Sequence, residues 1–259
     1  MDWSRQFYGR QQQWLQVYGG PITDHHRRLA AQVEAVVGVA QTAVLELGAG
    51  GGQFATALAQ RGYDVTAVDF TPANAEHIRS LALQAAPGTV TVLAVDFYEV
   101  SLPLAHYAAI CYWDGFGVGS DGDQVRLLQR MARWLRPDGV ILMDVYTPWY
   151  WAAQHGREMD LGSVKRRYTF DAGQCRMLDT WWLPGDLDSA VTQSLLCYSP
   201  ADLQLLLDAA GLRIQNVTPG GGFDPVSGQY SDSLPLAAAM TYQVQLVKTD
   251  VYSGIAGDG

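Results

Sequence analysis

Five short apolar runs, at 43–47, 65–68, 90–95, 108–113 and 139–145, alternate with segments of helical periodicity at about 53–61, 72–85 and 123–135. No other feature constrains the fold as much. Strands that are apolar along their whole length must be covered on both faces, and the intervening helices supply the cover. The pattern therefore predicts a parallel sheet in an α/β domain. Local punctuation agrees. Thr71-Pro72 sets an N-cap residue before a proline at the first helical position. Arg136-Pro137-Asp138-Gly139 is a turn that leads into a strand.

The flanks read differently. Residues 1–38 predict two helices broken at Gly19-Gly20-Pro21, the first with Phe7, Trp14, Leu15 and Tyr18 near one face, the second with Leu29, Val33, Val36 and Val37. The alternating core covers 39–146. Residues 147–198 mix charge with aromatics, and VKRRYTFD, CRMLDTWWL and SAVTQSLLCY predict three strands of an inserted antiparallel meander, with turns at Ala172-Gly173 and Pro184-Gly185. Over 199–250, a helix capped by Ser199-Pro200 and ended by Gly211 precedes two further strands, LRIQNV and MTYQVQLVK. The polar loop GGGFDPVSGQYSDS lies between those strands, and residues 251–259 are expected to be disordered.

Charge excludes whole classes of partner. The net charge of −9 leaves no basic face for nucleic acid or an anionic membrane. The arginines at 126, 130, 133 and 136 fall mostly on one helical face and read as solvated. Cys111, Cys175 and Cys197 form no C-x-x-C, so neither zinc nor a redox pair is expected. Cys111 reads as a core thiol, and the scattered, odd count fits a reducing cytoplasm. The first residues lack a signal-peptide pattern, and no apolar run approaches the roughly 20 residues of a membrane span.

The chemistry is concentrated where strands end. The first strand runs into Glu46-Leu47-Gly48-Ala49-Gly50-Gly51-Gly52, and a helix opens at Gln53. Glycines let a ligand approach the backbone, and a helix N-terminus offers N–H donors. The run departs from the dinucleotide fingerprint G-x-G-x-x-G, because Gln53 stands where its third glycine belongs. The second strand ends in Asp69-Phe70, about 20 residues on, where an acid can accept both ribose hydroxyls. The third ends in Asp96-Phe97, an acceptor for an adenine amino group beside a ring that can cover the base. The glycine turn alone fits NAD, FAD or S-adenosylmethionine (SAM).

Taken together, these residues resemble the class I SAM-dependent methyltransferases of small-molecule type, whose signature E/D-x-G-x-G-x-G is spelled by Glu46, Gly48, Gly50 and Gly52. LRPDGVILMDV is similar to the family's entry into its fifth strand, with Asp138 in place of a glycine. The fourth strand departs, since Tyr107-Ala108 stands where F-D is frequent. The resemblance implies a Rossmann-like seven-stranded sheet and a SAM site. Glu46 and the turn through Gly48, Ala49, Gly50 and Gly52 would meet the methionine portion of SAM. Asp69 with Phe70 would hold the ribose end, Asp96 with Phe97 the adenine, and Trp113 would lie near the sulfonium. The N-terminal helices would lid the pocket, with Tyr18 at the cofactor and Tyr146 in an aromatic acceptor pocket.

Catalytic candidates are His25 and His26, either of which can take a proton from an acceptor, and Asp114 after the fourth strand, which can orient an amine or hydroxyl. A helix-capping role for the histidines and a turn-capping role for Asp114 are the competing readings. D/N-P-P-Y, the mark of base amino methylation, is absent; the chain has YWDGFG. The expectation is a cytoplasmic monomer or homodimer acting on a small-molecule acceptor, with no metal. Two rival readings are an NAD(P)-dependent oxidoreductase and a non-catalytic SAM-binding regulatory protein.

Overall fold

The computed structural model describes residues 2–38, 42–223 and 229–249. Two helices come first, α1 (Asp2–Leu15) and α2 (Asp24–Val37). Thr23 caps α2, and Gly38 ends it at φ 75°. The alternating segment then gives β1 (Ala43–Leu47), α3 (Gln53–Ala59), β2 (Asp64–Val68), α4 (Pro72–Ala82), β3 (Thr89–Leu93), β4 (Tyr107–Tyr112), α5 (Asp121–Trp134) and β5 (Leu135–Tyr146). A capping box of Ser120 and Asp123 opens α5, and Pro72 opens α4.

The short helix α6 (Pro148–Ala153) leads into β6 (Glu158–Asp160), β7 (Lys165–Asp171), β8 (Arg176–Leu183) and β9 (Asp186–Leu196). The chain closes with α7 (Pro200–Asp208), β10 (Leu212–Pro219), the hairpin β11 (Gly222–Phe223) and β12 (Tyr230–Ser231), and β13 (Thr241–Lys248).

The main sheet has seven strands in the order β10-β13-β5-β4-β1-β2-β3. Strands β1 to β5 are mutually parallel, while β13 runs antiparallel to both β5 and β10. Both faces are covered, as the apolar strands require. Leu45, Leu47, Ile110 and Ile141 pack against Leu127, Leu128 and Met131 of α5 on one face. Val44, Val65, Ala67 and Cys111 pack against α2 and α3 on the other. Strand order reverses between β1 and β4, so a crevice opens there at the carboxyl ends of the strands.

The insertion is an antiparallel sheet of four strands rather than three, in the order β6-β7-β8-β9. The extra strand, β6, is three residues long with two of them exposed, too short and polar to show an alternation. Helix α6, six residues long, is likewise below the length at which a period can be read. Phe7 of α1 is fully buried against Val164, Trp181 and Val191, so the first helix packs on the insertion. Arg126 and Arg133 are exposed as expected, but Arg130 is half-buried, lies 4.8 Å over the Trp134 ring and donates to the carbonyl of Val100. The expected disorder of 251–259 falls outside the described residues. Among the described residues no helix is long and apolar enough to cross a membrane.

Candidate active site

The crevice at the switch point encloses about 800 Å³ of space, counting the part open to solvent. Its floor follows the strand order. Asp96 and Phe97 stand after β3, Asp69 and Phe70 after β2, Gly48 and Gly50 after β1, and Trp113 and Asp114 after β4. Ser4, Tyr8 and Tyr18 close it from the N-terminal side.

Asp69 is the best-anchored of the three acids. Its Oδ2 accepts from the Gly50 N–H at 2.9 Å, and its Oδ1 from the Thr71 N–H at 2.8 Å and Asn74 Nδ2 at 3.2 Å. Burial raises its pKa, and the bonds from Thr71, Gly50 and Asn74 oppose that rise. The carboxylate thus ties the glycine turn to the start of α4 and still borders the cavity.

Asp96 accepts from the Tyr98 N–H at 3.0 Å and lies 3.5 Å from an Arg5 guanidinium nitrogen. The same guanidinium stacks 4.9 Å over the Phe70 ring. Arg5 therefore bridges the ends of β2 and β3 from α1, a contact that sequence spacing does not reveal.

Glu46 does not line the cavity. It is buried beneath the turn and accepts from the Ala55 N–H, while its Oε2 has no hydrogen-bond partner. Burial, then the nearby Asp69, push its pKa well above the usual carboxylate range. Its place is under the loop, where it supports the start of α3. Ala49 and Gly52 also lie off the cavity surface; Gly52 is the N-cap of α3 at φ 78°.

The close approach made by the glycines is partly to the protein itself. A Cβ on Gly50 would lie 2.8 Å from Tyr18 Cδ1, and one on Gly51 would collide with the Tyr18 carbonyl oxygen. Gln53 explains this contact. Its Nε2 donates to the carbonyls of Tyr18 at 3.0 Å and Gly20 at 2.9 Å. The residue that breaks the dinucleotide fingerprint is thus the clasp that fastens the N-terminal segment over the turn. His77 Nδ1 lies 2.8 Å from the Gly51 carbonyl and steadies the turn from α4.

Gln53→Leu removes both bonds and leaves two carbonyls with only solvent to turn to, at about 1 kcal/mol each. Amide exchange over residues 16–22 is expected to speed up by roughly tenfold or more, read by hydrogen–deuterium exchange. Unchanged protection there would show that the clasp does not hold the segment.

The histidine pair lies away from the cavity. His26 Nδ1 accepts from the Thr23 N–H at 3.0 Å and completes the capping box of α2. Burial, then the charges of His25 and Arg27, lower its pKa. His25 is exposed beside it, with ring centroids 5.7 Å apart, and neither lines the cavity. Helix-capping geometry satisfies the sequence signal completely.

Asp114 is different. It borders the cavity at φ 52°, a left-handed conformation that Asp tolerates better than most residues. The Tyr146 hydroxyl donates to its Oδ1. The residue is exposed to the cavity, and desolvation by the protein packed around that opening raises the pKa of its carboxyl. Beyond Tyr146 the insertion contributes Arg166 and Asp179, joined by two bonds of 2.8 and 2.7 Å. Tyr8 belongs to the same wall, its hydroxyl accepting from Gln193 Nε2 at 2.9 Å. Trp113 lines the cavity and meets Phe54 edge-on at 5.4 Å. Among the described residues no group of His, Cys, Asp and Glu has the geometry to hold a metal.

The donor and acceptor set suits SAM. Carboxylates accept only, and they stand where a nucleoside's hydroxyl and amino donors would lie along the strand order. Aromatic faces at the β4 end suit a sulfonium. Residues 44–139 match the model of a family described as a methyltransferase domain. Among curated proteins, none matches the chain in sequence.

Solved structures share the fold. The CcbJ methyltransferase from Streptomyces caelestis is 20% identical, with 90% of this chain and 92% of that one covered and a TM-score of 0.68. A SAM-dependent methyltransferase from Clostridium acetobutylicum is 11% identical, with 95% and 99% covered and a TM-score of 0.69. The 1,6-didemethyltoxoflavin-N1-methyltransferase of Burkholderia thailandensis, which holds 1,6-didemethyltoxoflavin and S-adenosylhomocysteine, is 19% identical, with 95% and 85% covered and a TM-score of 0.55. Residues 44–139 therefore match a methyltransferase domain, in a chain that shares its fold with solved SAM-dependent methyltransferases.

Proposed function

We propose that the chain transfers the methyl group of SAM to an O, N or C nucleophile of a small molecule. The observation that carries this reading is the run of cavity residues along the strand ends, from Asp96 after β3 to Asp114 after β4. Asp96 would accept from the adenine amino group and Phe70 and Phe97 would flank the ring. Asp69 would take the ribose hydroxyls, and the turn at Gly48 and Gly50 with Tyr18 would receive the methionine portion. The methyl group would then face Trp113 and Asp114. Strands in a sheet lie about 4.8 Å apart, so β3 to β4 spans about 14 Å, a length suited to an extended nucleoside with an amino-acid tail.

A cavity roofed by Tyr8 and Tyr18 supports a small acceptor over a polymer. The 1,6-didemethyltoxoflavin held by the Burkholderia thailandensis neighbour points the same way. Methyl transfer is an in-line displacement at a sulfonium, so positioning and exclusion of water supply much of the acceleration. In this chain Tyr8 and Tyr18 exclude water and the strand ends fix the line of attack.

Calorimetric titration tests the reading. S-adenosylhomocysteine is expected to bind at micromolar levels and NADH not to bind. Tight NADH binding, or no binding of S-adenosylhomocysteine, would refute it.

A further inference from the structure

On the methyltransferase reading, the acceptor end of the cavity carries a charge signature. Three aspartates line the cavity, Asp69, Asp96 and Asp114, and among its described lining residues none is Lys, Arg or His. Two of those acids lie toward β2 and β3, at the nucleoside end. Asp114 is left alone at the β4 end.

Its surroundings do not neutralise it. Tyr146 donates one hydrogen bond but carries no charge. Arg166 is the cation facing it, and that guanidinium is held by two bonds to Asp179, whose side chain is 1% exposed. Asp144, one strand further on in β5, has its pKa raised to about 7 by burial, then by the charge of Asp114. An anionic acceptor would meet repulsion here and find no free guanidinium or ammonium to receive it.

We propose that the acceptor is an amine, and that Asp114, fixed by the Tyr146 hydroxyl, receives an N–H of its nucleophilic nitrogen at the end of β4. The reaction balances simply. The neutral amine's lone pair forms the new C–N bond as the C–S bond breaks. The bonding pair leaves with sulfur as a neutral thioether. The nitrogen, now cationic, releases its extra proton to the Asp114 carboxylate and on to water. A carboxyl whose pKa is raised by burial is a better proton acceptor than a solvated one. Asp114 acts here as an orienting group and proton acceptor on the substrate itself.

The experiment uses the protein loaded with S-adenosylhomocysteine and pairs of near-isosteric probes, benzylamine against benzyl alcohol and cyclohexylamine against cyclohexanol, titrated calorimetrically. The amine of each pair is expected to bind about tenfold or more tighter, the size of one charge-assisted hydrogen bond. Asp114→Asn keeps the left-handed backbone accessible and the side chain's size. In this variant the amine preference is expected to vanish, while affinity for S-adenosylhomocysteine stays within about twofold.

Equal binding of amine and alcohol, binding of neither, or a preference that survives in Asp114→Asn overturns the proposal. So does a loss of S-adenosylhomocysteine affinity in the variant, which would place Asp114 on the cofactor's own ammonium. If S-adenosylhomocysteine fails to bind the unaltered protein, it is the methyltransferase reading that falls.

Discussion

Replacing Asp69 with alanine is expected to weaken S-adenosylhomocysteine binding by about 100-fold or more, from hydrogen bonds to a charged group worth roughly 1.5–3 kcal/mol each. The effect has two sources. The carboxylate would lose its bonds to the ribose hydroxyls. It also holds the Gly50 and Thr71 N–H groups and the Asn74 amide, so the alanine variant leaves three donors without an acceptor and frees the glycine turn from α4. Asp69→Asn separates these contributions. It retains one carbonyl acceptor and the volume, and should lose roughly tenfold. Calorimetry gives the affinities, and near-ultraviolet circular dichroism establishes that both variants remain folded. If alanine at this position binds S-adenosylhomocysteine as the parent does, ribose recognition by Asp69 is wrong.

The second large effect concerns stability. Arg166→Met is expected to lower stability by about 3–5 kcal/mol, because it strands a buried carboxylate without its partner. Asp179 is 1% exposed at its side chain, and its described hydrogen bonds are the two from Arg166. The guanidinium also lies 4.4 Å over the Tyr168 ring and 5.0 Å over Trp181, so the variant loses a stacking plane as well as a charge. For a chain of this size the loss corresponds to a fall in melting temperature of about 10 °C. Arg166→Lys should rescue little, since an ammonium neither forks onto a carboxylate nor stacks flat. The double variant Arg166→Met, Asp179→Leu should recover most of the loss, because removing both charges removes the desolvation penalty. A single variant that melts within about 2 °C of the parent would show that water reaches Asp179.

The parts of the fold that were legible in sequence are those set by local period and punctuation. Apolar runs of four to seven residues between helices predict a covered parallel sheet, and β1 to β5 form one. The two end-of-strand acids Asp69 and Asp96 were legible for the same reason, since a strand's last residue is fixed by where its apolar run stops. What was illegible depends on contacts between distant segments. Gln53 reads as a flaw in a glycine pattern until the carbonyls of Tyr18 and Gly20, more than thirty residues away, are seen to need its amide. Arg5 reads as one more charge on an amphipathic helix, yet it reaches Asp96 and Phe70. The histidine pair is the reverse case. A side chain able to move protons is equally able to cap a helix, and at position N3 of α2 the backbone takes it first.

The packing of α1 bears on how such a protein can be re-engineered. Tyr8 lines the cavity, and its neighbours Phe7 and Gln193 tie it to Trp181 of β8 and to β9 of the insertion. On the proposed reading, the wall beside Asp114 and the roof over the cofactor would share one foundation. Grafting a foreign antiparallel sheet onto this core to change acceptor choice would also shift Tyr8, and with it the grip on SAM. The two specificities would then not be modular, and a successful graft would have to carry α1 along with the sheet.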